Sequence, residues 1–404
     1  MFAPPSLRRT KLIVVRRSAR AGTSQEISML ATRRTLLAGF AAAPAVTALP
    51  SLSWARDRKT ESDAALDAAF AEHAPPAMAA GVVGRDGLIW SGARGVRVME
   101  GADPVSVDQK WHLGSNGKAM TAMLYAKLVE QGRAKWGATL GEIFAGQVMD
   151  DGMKSITIDD LLCHTSGLKE ADIMNRERLM AAHADRRPPH EHRADFTRDL
   201  LGKAPTGQRG VFGYSNSGYV LAGAAIETIT SKPWEQVIQA DLFDPLGMTT
   251  AGHGAPQGDN PWGHRILPDG KWGAADPVRG ADNPAPFGPA GRMHMSVADY
   301  GKFLQLYVTR GGGFVSAATM DRLLTPPANM GERPYAYGWG IRTGDAWAAG
   351  GPTLYHNGTN TMWYASANVA PARGLAVFSI ANERTRGELA NRAVMERLIA
   401  IHAA

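Results

Sequence analysis

The sequence predicts an α/β protein of the α+β kind. It would hold one antiparallel sheet, flanked by the terminal helices and interrupted by a helix-rich insertion. Three observations carry this. Strand-like segments gather at the two ends of the chain, around residues 79–95 and 336–380. Helix caps and helical spacing fill the middle. A helical segment precedes the first strands and another follows the last. The sheet part is therefore expected over about 56–114 and 281–404, and the helical part over about 115–280.

Taken in order, 61–74 reads as a helix ended by Pro75-Pro76. Residues 79–84 and 88–95 read as a hairpin about Arg85-Asp86-Gly87. A helix over 115–131 has Gly132 as its stop. Thr157-x-x-Asp160 opens a short helix over 157–164. Further helices are expected over 218–230, 234–243 and 296–308, the last capped by Ser296-x-x-Asp299. Strands follow at 336–342, 353–356, 362–369 and 374–380. A closing helix over 386–402 carries Leu389, Ala393, Val394, Leu398 and Ile401 on one face. Residues 183–198 and 254–289 read as long loops, which often border a substrate site.

The formal net charge is +6, which invites an anionic partner. Its location argues otherwise. Residues 1–55 hold eight basic side chains and one acid, a net +7, so the remainder carries −1. Arg33-Arg34 precede an apolar run from Leu36 to Leu49, too short for a comfortable membrane span. Ser53-Trp54-Ala55 supplies small residues at the −3 and −1 positions of a cleavage site. The segment reads as a twin-arginine export signal, cleaved to leave residues 56–404 without a stable membrane anchor. Met29 reads as the true start, which would leave 1–28 untranslated. A periplasmic or secreted location follows, with no nucleic acid among the partners. The single Cys163 excludes an intrachain disulfide and Cys-based metal sites.

Three short elements could carry chemistry. Ser115 and Lys118 are three apart at the start of a helix, hence on one face. A serine hydroxyl becomes nucleophilic when a neighbour takes its proton, and a buried lysine can do so. Tyr214-x-Asn216 offers a phenol for proton transfer and an amide for hydrogen bonding to substrate. His356-Asn357-Gly358-Thr359, at a strand end, would put a donor on the pocket wall, with Gly358 letting backbone approach closely. Each alone is weak. Ser166 and Lys169 repeat the first pattern in a loop, and Tyr355-x-Asn357 repeats the second.

Together, in this order and spaced by 99 and 142 residues, the three resemble the motifs of the serine β-lactamase, DD-peptidase and esterase superfamily, in its class C-like branch. Leu161-Leu162-Cys163-His164-Thr165-Ser166-Gly167-Leu168, Pro245-Leu246-Gly247-Met248 and Pro289-Ala290-Gly291 resemble further landmarks of that family. The resemblance covers about residues 60–385 and implies a β-lactamase/DD-peptidase-like fold. It implies Ser115 as the acylated nucleophile, with Lys118 and Tyr214 sharing the proton work. Asn216 would contact the substrate, and the backbone N–H groups of Ser115 and Thr359 would form the oxyanion hole. His356 stands where the family has lysine, and Asn357 where it has threonine. An ester or a D-amino-acid amide therefore gains weight over a carboxylate-bearing β-lactam or peptide terminus. No cofactor or metal is implied.

Other classes fit less well. The Gly-x-Ser-x-Gly elbow, His-Glu-x-x-His and the nucleotide glycine fingerprints are absent. His190-Glu191-His192, beside Pro188-Pro189, reads as a solvated loop. Cys163 beside His164 reads as a structural cysteine next to a loop-fixing histidine. The expectation is an exported serine hydrolase acting through an acyl-enzyme on a small-molecule or peptide substrate. The rival is a non-catalytic penicillin-recognition or scaffold protein on the same fold.

Overall fold

The N-terminal hairpin forms where the turn residues place it. Strand β1 (Ala77–Gly84) pairs with β2 (Gly87–Gly95), and Gly87 takes a φ of +120° at the turn. The computed structural model describes residues 50–169, 176–267, 269–279, 281–328, 330 and 334–404. Residues 49–404 form one compact unit. The signal expected over 1–55 lies outside the described residues up to 49. Beyond that point the first helix runs Pro50–His73, so it begins before the expected 61 and spans the expected cleavage site. Among the described residues no helix is long and apolar enough to cross a membrane.

The C-terminal strands are β3 (Tyr335–Ala336), β4 (Trp339–Arg342), β5 (Thr353–Thr359), β6 (Tyr364–Ala370) and β7 (Leu375–Ala381). They join the hairpin in a seven-stranded antiparallel sheet of order β2-β1-β7-β6-β5-β4-β3. The first strand thus pairs with the last, as expected of a sheet built from both chain ends. The segment over 336–342, expected as one strand, is two. Tyr337 and Gly338 both take positive φ and turn the chain back on itself.

The two sheet faces are buried differently. Met78, Ala80, Val82, Leu375 and Val377 pack against the first helix and the last, Thr385–His402. Ala77, Ala79, Val83, Phe378 and Ile380 join the larger core with Gly117–Glu130, Asn216–Thr230 and Val297–Val308. Alternating burial of this kind is what the two-residue period of a strand produces.

Two expectations from local sequence need correction. The last helix buries part of the expected face, Val394 and Leu398 with Ala393 packed beside them, but Leu389 is 40% exposed and the buried stripe also takes in Ala390, Asn391 and His402. Those polar residues go inside because partners await them. Asn391 Nδ2 donates to the carbonyls of Tyr364 and Ser379, each at 3.0 Å, and His402 Nε2 lies 2.9 Å from Ser62 Oγ. The expected loop over 183–198 is largely the helix Pro189–Leu201. Pro189 occupies its first turn, where a missing N–H costs nothing. Arg193, fully buried, fixes the helix by pairing with Glu227 at 2.5 Å and Glu235 at 2.8 Å. Residues 254–289 also hold structure, a small hairpin of Gly263–Ile266 with Trp272–Ala275.

Candidate active site

Trp111–His112 pairs with Met293–Met295 and delivers the chain to a tight turn, Gly114–Asn116, which opens the helix Gly117–Glu130. Gly114 takes a φ of +53°, the left-handed conformation that glycine adopts at least cost. Ser115 stands in this turn, and Lys118 follows on the same face of the helix.

Lys118 is fully buried, and its ammonium is held by three oxygens. It donates to Ser115 Oγ at 3.0 Å, to Asn216 Oδ1 at 2.7 Å and to the Ala290 carbonyl at 2.6 Å. Its Nζ also lies 4.9 Å from the centre of the Tyr214 ring and 5.4 Å from that of Tyr219. Thr121 Oγ1 donates to the Pro289 carbonyl at 2.8 Å, fixing the segment that presents Ala290. The arrangement couples hydroxyl, amine and amide around a buried nitrogen, where such contacts are stronger than in water.

Tyr214 is 42% exposed and lies at the mouth of this cluster. Its position is set from behind by His164, whose ring lies 4.4 Å from the Tyr214 ring and whose Nδ1 accepts from the Ser215 N–H at 3.2 Å. His164 takes a φ of +59°, uncommon for a residue with a side chain. Burial, then the nearby Lys118 charge and His356, hold its ring well below the usual histidine range, so it is neutral. Ser215 caps the helix Asn216–Thr230 by accepting from the Gly218 N–H at 3.2 Å. The cap places Asn216 at the helix start, facing Lys118.

Strand β5 closes the site. Gly358 lies against the nucleophile turn so closely that a Cβ there would stand 2.0 Å from the Leu113 carbonyl oxygen and 2.7 Å from Ser115 N. A Cβ on Gly114 would stand 2.4 Å from Thr359 N. The backbone amides of Ser115 and Thr359 are thereby brought to adjoining positions.

His356 is oriented differently from a wall donor. It is only 6% exposed; its Nδ1 donates to the Asn357 carbonyl at 2.8 Å, and its Nε2 faces Tyr335 Oη at 3.1 Å. Both nitrogens are engaged within the protein. Burial, then the Lys118 charge, push its ring down to about 3 against the opposing pull of the Asn357 carbonyl. It is uncharged near neutrality. The donor expected from His356 is instead engaged with Tyr335 and its own backbone, its ring 6.4 Å from that of Tyr214.

The competing motifs separate cleanly. Ser166 Oγ is engaged in its own turn, accepting from the Leu168 N–H at 3.3 Å, and Lys169 is exposed. Tyr355 and Asn357 alternate with His356 and Gly358 and line a groove beside Trp347 and the last helix, on the opposite sheet face. Burial pushes the Cys163 thiol up to about 12, which keeps it protonated and inert. The sequence did not reveal the Ala290 carbonyl as a lysine partner. A carbonyl leaves no signature in side-chain identity.

The beta-lactamase family model matches residues 62–401. Over 340 residues the chain is 25% identical to penicillin-binding protein 4 of Amycolatopsis lactamdurans, covering 78% of this chain and 83% of that one. Among solved structures it is similar to an octameric penicillin-binding protein homologue from Pyrococcus abyssi, with a TM-score of 0.66 and 23% identity over 80% of this chain and 73% of the other. It is also similar to a D-stereospecific amidohydrolase from Streptomyces, with a TM-score of 0.65 and 21% identity over 84% and 97%.

Proposed function

The chain belongs to the beta-lactamase family, and on that premise we propose that it is a serine hydrolase cleaving esters or amides through an acyl-enzyme on Ser115. The observation that carries this reading is the buried Lys118 nitrogen 3.0 Å from Ser115 Oγ. A lysine taken out of water and set against a hydroxyl is poised to exchange a proton with it.

The steps follow from the contacts. A substrate carbonyl carbon sits above Ser115 Oγ, with its oxygen toward the N–H groups of Ser115 and Thr359. With Lys118 as the neutral amine, donating to Asn216 Oδ1 and the Ala290 carbonyl and turning its lone pair to Ser115, Lys118 and Tyr214 share the work of taking the hydroxyl proton as Oγ attacks. The two backbone donors stabilise the oxyanion that develops. The proton passes to the leaving oxygen or nitrogen, which departs and leaves the acyl group on Ser115. Water then attacks this ester with the same pair assisting, and Ser115 is restored. Asn216, held by Lys118, contacts the amide or ester of the substrate.

The neutral, internally engaged His356 supports a substrate without a carboxylate at the position where a family lysine would hold one. Short-chain esters and D-amino-acid amides fit better than peptides ending in a free carboxylate. Export by the twin-arginine segment remains part of this reading, with the enzyme acting outside the cytoplasm. Labelling with a fluorophosphonate tests the assignment: the wild type should be modified, and Ser115→Ala should not. Equal labelling of the two proteins would overturn it. Intact-mass detection of the acyl-enzyme across β-lactams, D-alanyl peptides, D-amino-acid amides and esters would identify the substrate class.

A further inference from the structure

A buried carboxylate outside the reacting groups joins three walls of the site. Asp282 is 7% exposed, and its Oδ1 lies 2.9 Å from Nε2 of the fully buried His112. His112 Nδ1 accepts from the Gly114 N–H at 3.1 Å, one residue before Ser115. The same Asp282 oxygen accepts from Asn360 Nδ2 at 2.9 Å, one residue after Thr359. Asn360 Oδ1 in turn accepts from the N–H groups of Met362 and Trp363 at 3.2 and 3.1 Å. The Trp363 ring stacks on His112, their centres 5.3 Å apart. Asn283, whose N–H donates to Asp282 at 2.7 Å, reaches the Gly291 carbonyl with its own amide at 3.1 Å. Arg292 Nε stands 3.4 Å from the second carboxylate oxygen.

His112 Nδ1 accepts the Gly114 N–H, so its lone pair lies there and Nε2, 2.9 Å from the carboxylate, is the nitrogen that carries a proton. Only that tautomer can receive the Gly114 N–H. Burial disfavours the Asp282 charge, but His112, Arg292 and Asn360 outweigh it and hold the carboxyl well below the usual range. The ionised form thus persists where it is needed.

We infer that Asp282 is a positioning residue: through His112 on one side and Asn360 on the other, it fixes the spacing between the Ser115 and Thr359 amides that receive the oxyanion. The inference rests on the acyl-enzyme reading of Ser115. It concerns groups that never touch the substrate.

In Asp282→Asn, an amide oxygen kept toward His112, Asn283 and Asn360 sets the NH2 against Arg292 Nε, and an amide nitrogen turned toward them opposes the Asn283 and Asn360 donors, so either orientation loosens the bridge. The test compares kcat and KM for an ester and for its thionoester, whose sulfur makes poor use of an oxyanion hole. For D282N the expected result is a roughly 10- to 100-fold loss of kcat on the ester, with KM within about twofold. The ester-to-thionoester rate ratio should fall about tenfold, since the loss resides in the oxyanion hole. A merely structural role would lower both rates alike and leave the ratio unchanged.

Two further variants test the same point should D282N fail to fold. His112→Gln offers no acceptor at the δ position and should lower the ratio. His112→Asn keeps an oxygen at the place of Nδ1 but loses the contact to Asp282, and it should lower the ratio as well. A ratio unchanged in D282N, or unchanged in H112Q, would overturn the inference. If the wild type itself forms no adduct on Ser115, the catalytic reading fails first, and the two failures are told apart by that control.

Discussion

Gly358→Ala is the perturbation with the most readable consequence. The added methyl would stand 2.0 Å from the Leu113 carbonyl oxygen, 2.7 Å from Ser115 N and 2.9 Å from Asn116 N, whereas ordinary contact begins at 3.4 Å. All three neighbours are backbone atoms, so no side chain can swing aside. Strand β5 and the nucleophile turn must part by on the order of 1 Å, a displacement that costs about 100-fold when it misplaces reacting groups. That corresponds to about 2.7 kcal/mol of transition-state stabilisation. Overpacking adds a folding cost of about 1–3 kcal/mol. The assay is the pre-steady-state burst of p-nitrophenol from a short-chain ester, beside a thermal melt. A folded G358A enzyme whose burst rate stays within about threefold of wild type would refute the close approach of these two segments as the basis of the oxyanion hole.

Other perturbations test separate parts of the site. Lys118→Met should lower the acylation rate by roughly 10²–10⁴-fold, as loss of a proton-transfer group does, and a burst of normal rate would contradict its role. His356 is held neutral down to about pH 3, so kcat/KM should show no descending limb near the ordinary histidine range, in the wild type or in His356→Asn. A limb there that vanishes in the variant would show the imidazolium to be needed. Stability should fall as the medium is acidified below about pH 6.5, the usual pKa of histidine in an unfolded chain. Burial, first among the causes, pushes His253, His294 and His402 down to about 4 in the folded state, so the unfolded chain binds protons first. Each such group takes on the order of 1–2 kcal/mol from stability by about pH 5. A melting temperature constant from pH 7 to pH 5 would contradict this.

Much of the architecture was legible because it is written locally. Thr157 and Asp160 do form a reciprocal cap, Ser296 does accept from the Asp299 N–H, and the hairpin turns at Gly87. The sheet built from both ends followed from where the strands lie. The misreadings came from contacts distant in sequence. Asn391 and His402 are buried because Ser379, Tyr364 and Ser62 meet them, which no helical wheel can know. Pro188-Pro189 resembled a loop because a first-turn proline and a loop proline look alike without the buried Arg193 pairs behind them.

The site divides in the same way. Ser115, Lys118 and Asn216 come together as their spacing and resemblance suggested, with Tyr214 beside them. His356 kept its place on the strand, but its two nitrogens are taken by Tyr335 and its own backbone. Asp282 gave no local sign of itself. It matters only because the fold carries it to His112 and Asn360, 170 and 78 residues away in the chain.

The central claim is that Ser115 becomes acylated. The most direct measurement is rapid acid quench of the enzyme with a slowly hydrolysed ester or fluorophosphonate, followed by peptide mapping of the adduct by mass spectrometry. One equivalent of acyl or phosphonyl mass on Ser115 is the predicted result. An adduct on Ser166, Ser215 or Cys163, with Ser115 unmodified, would contradict it.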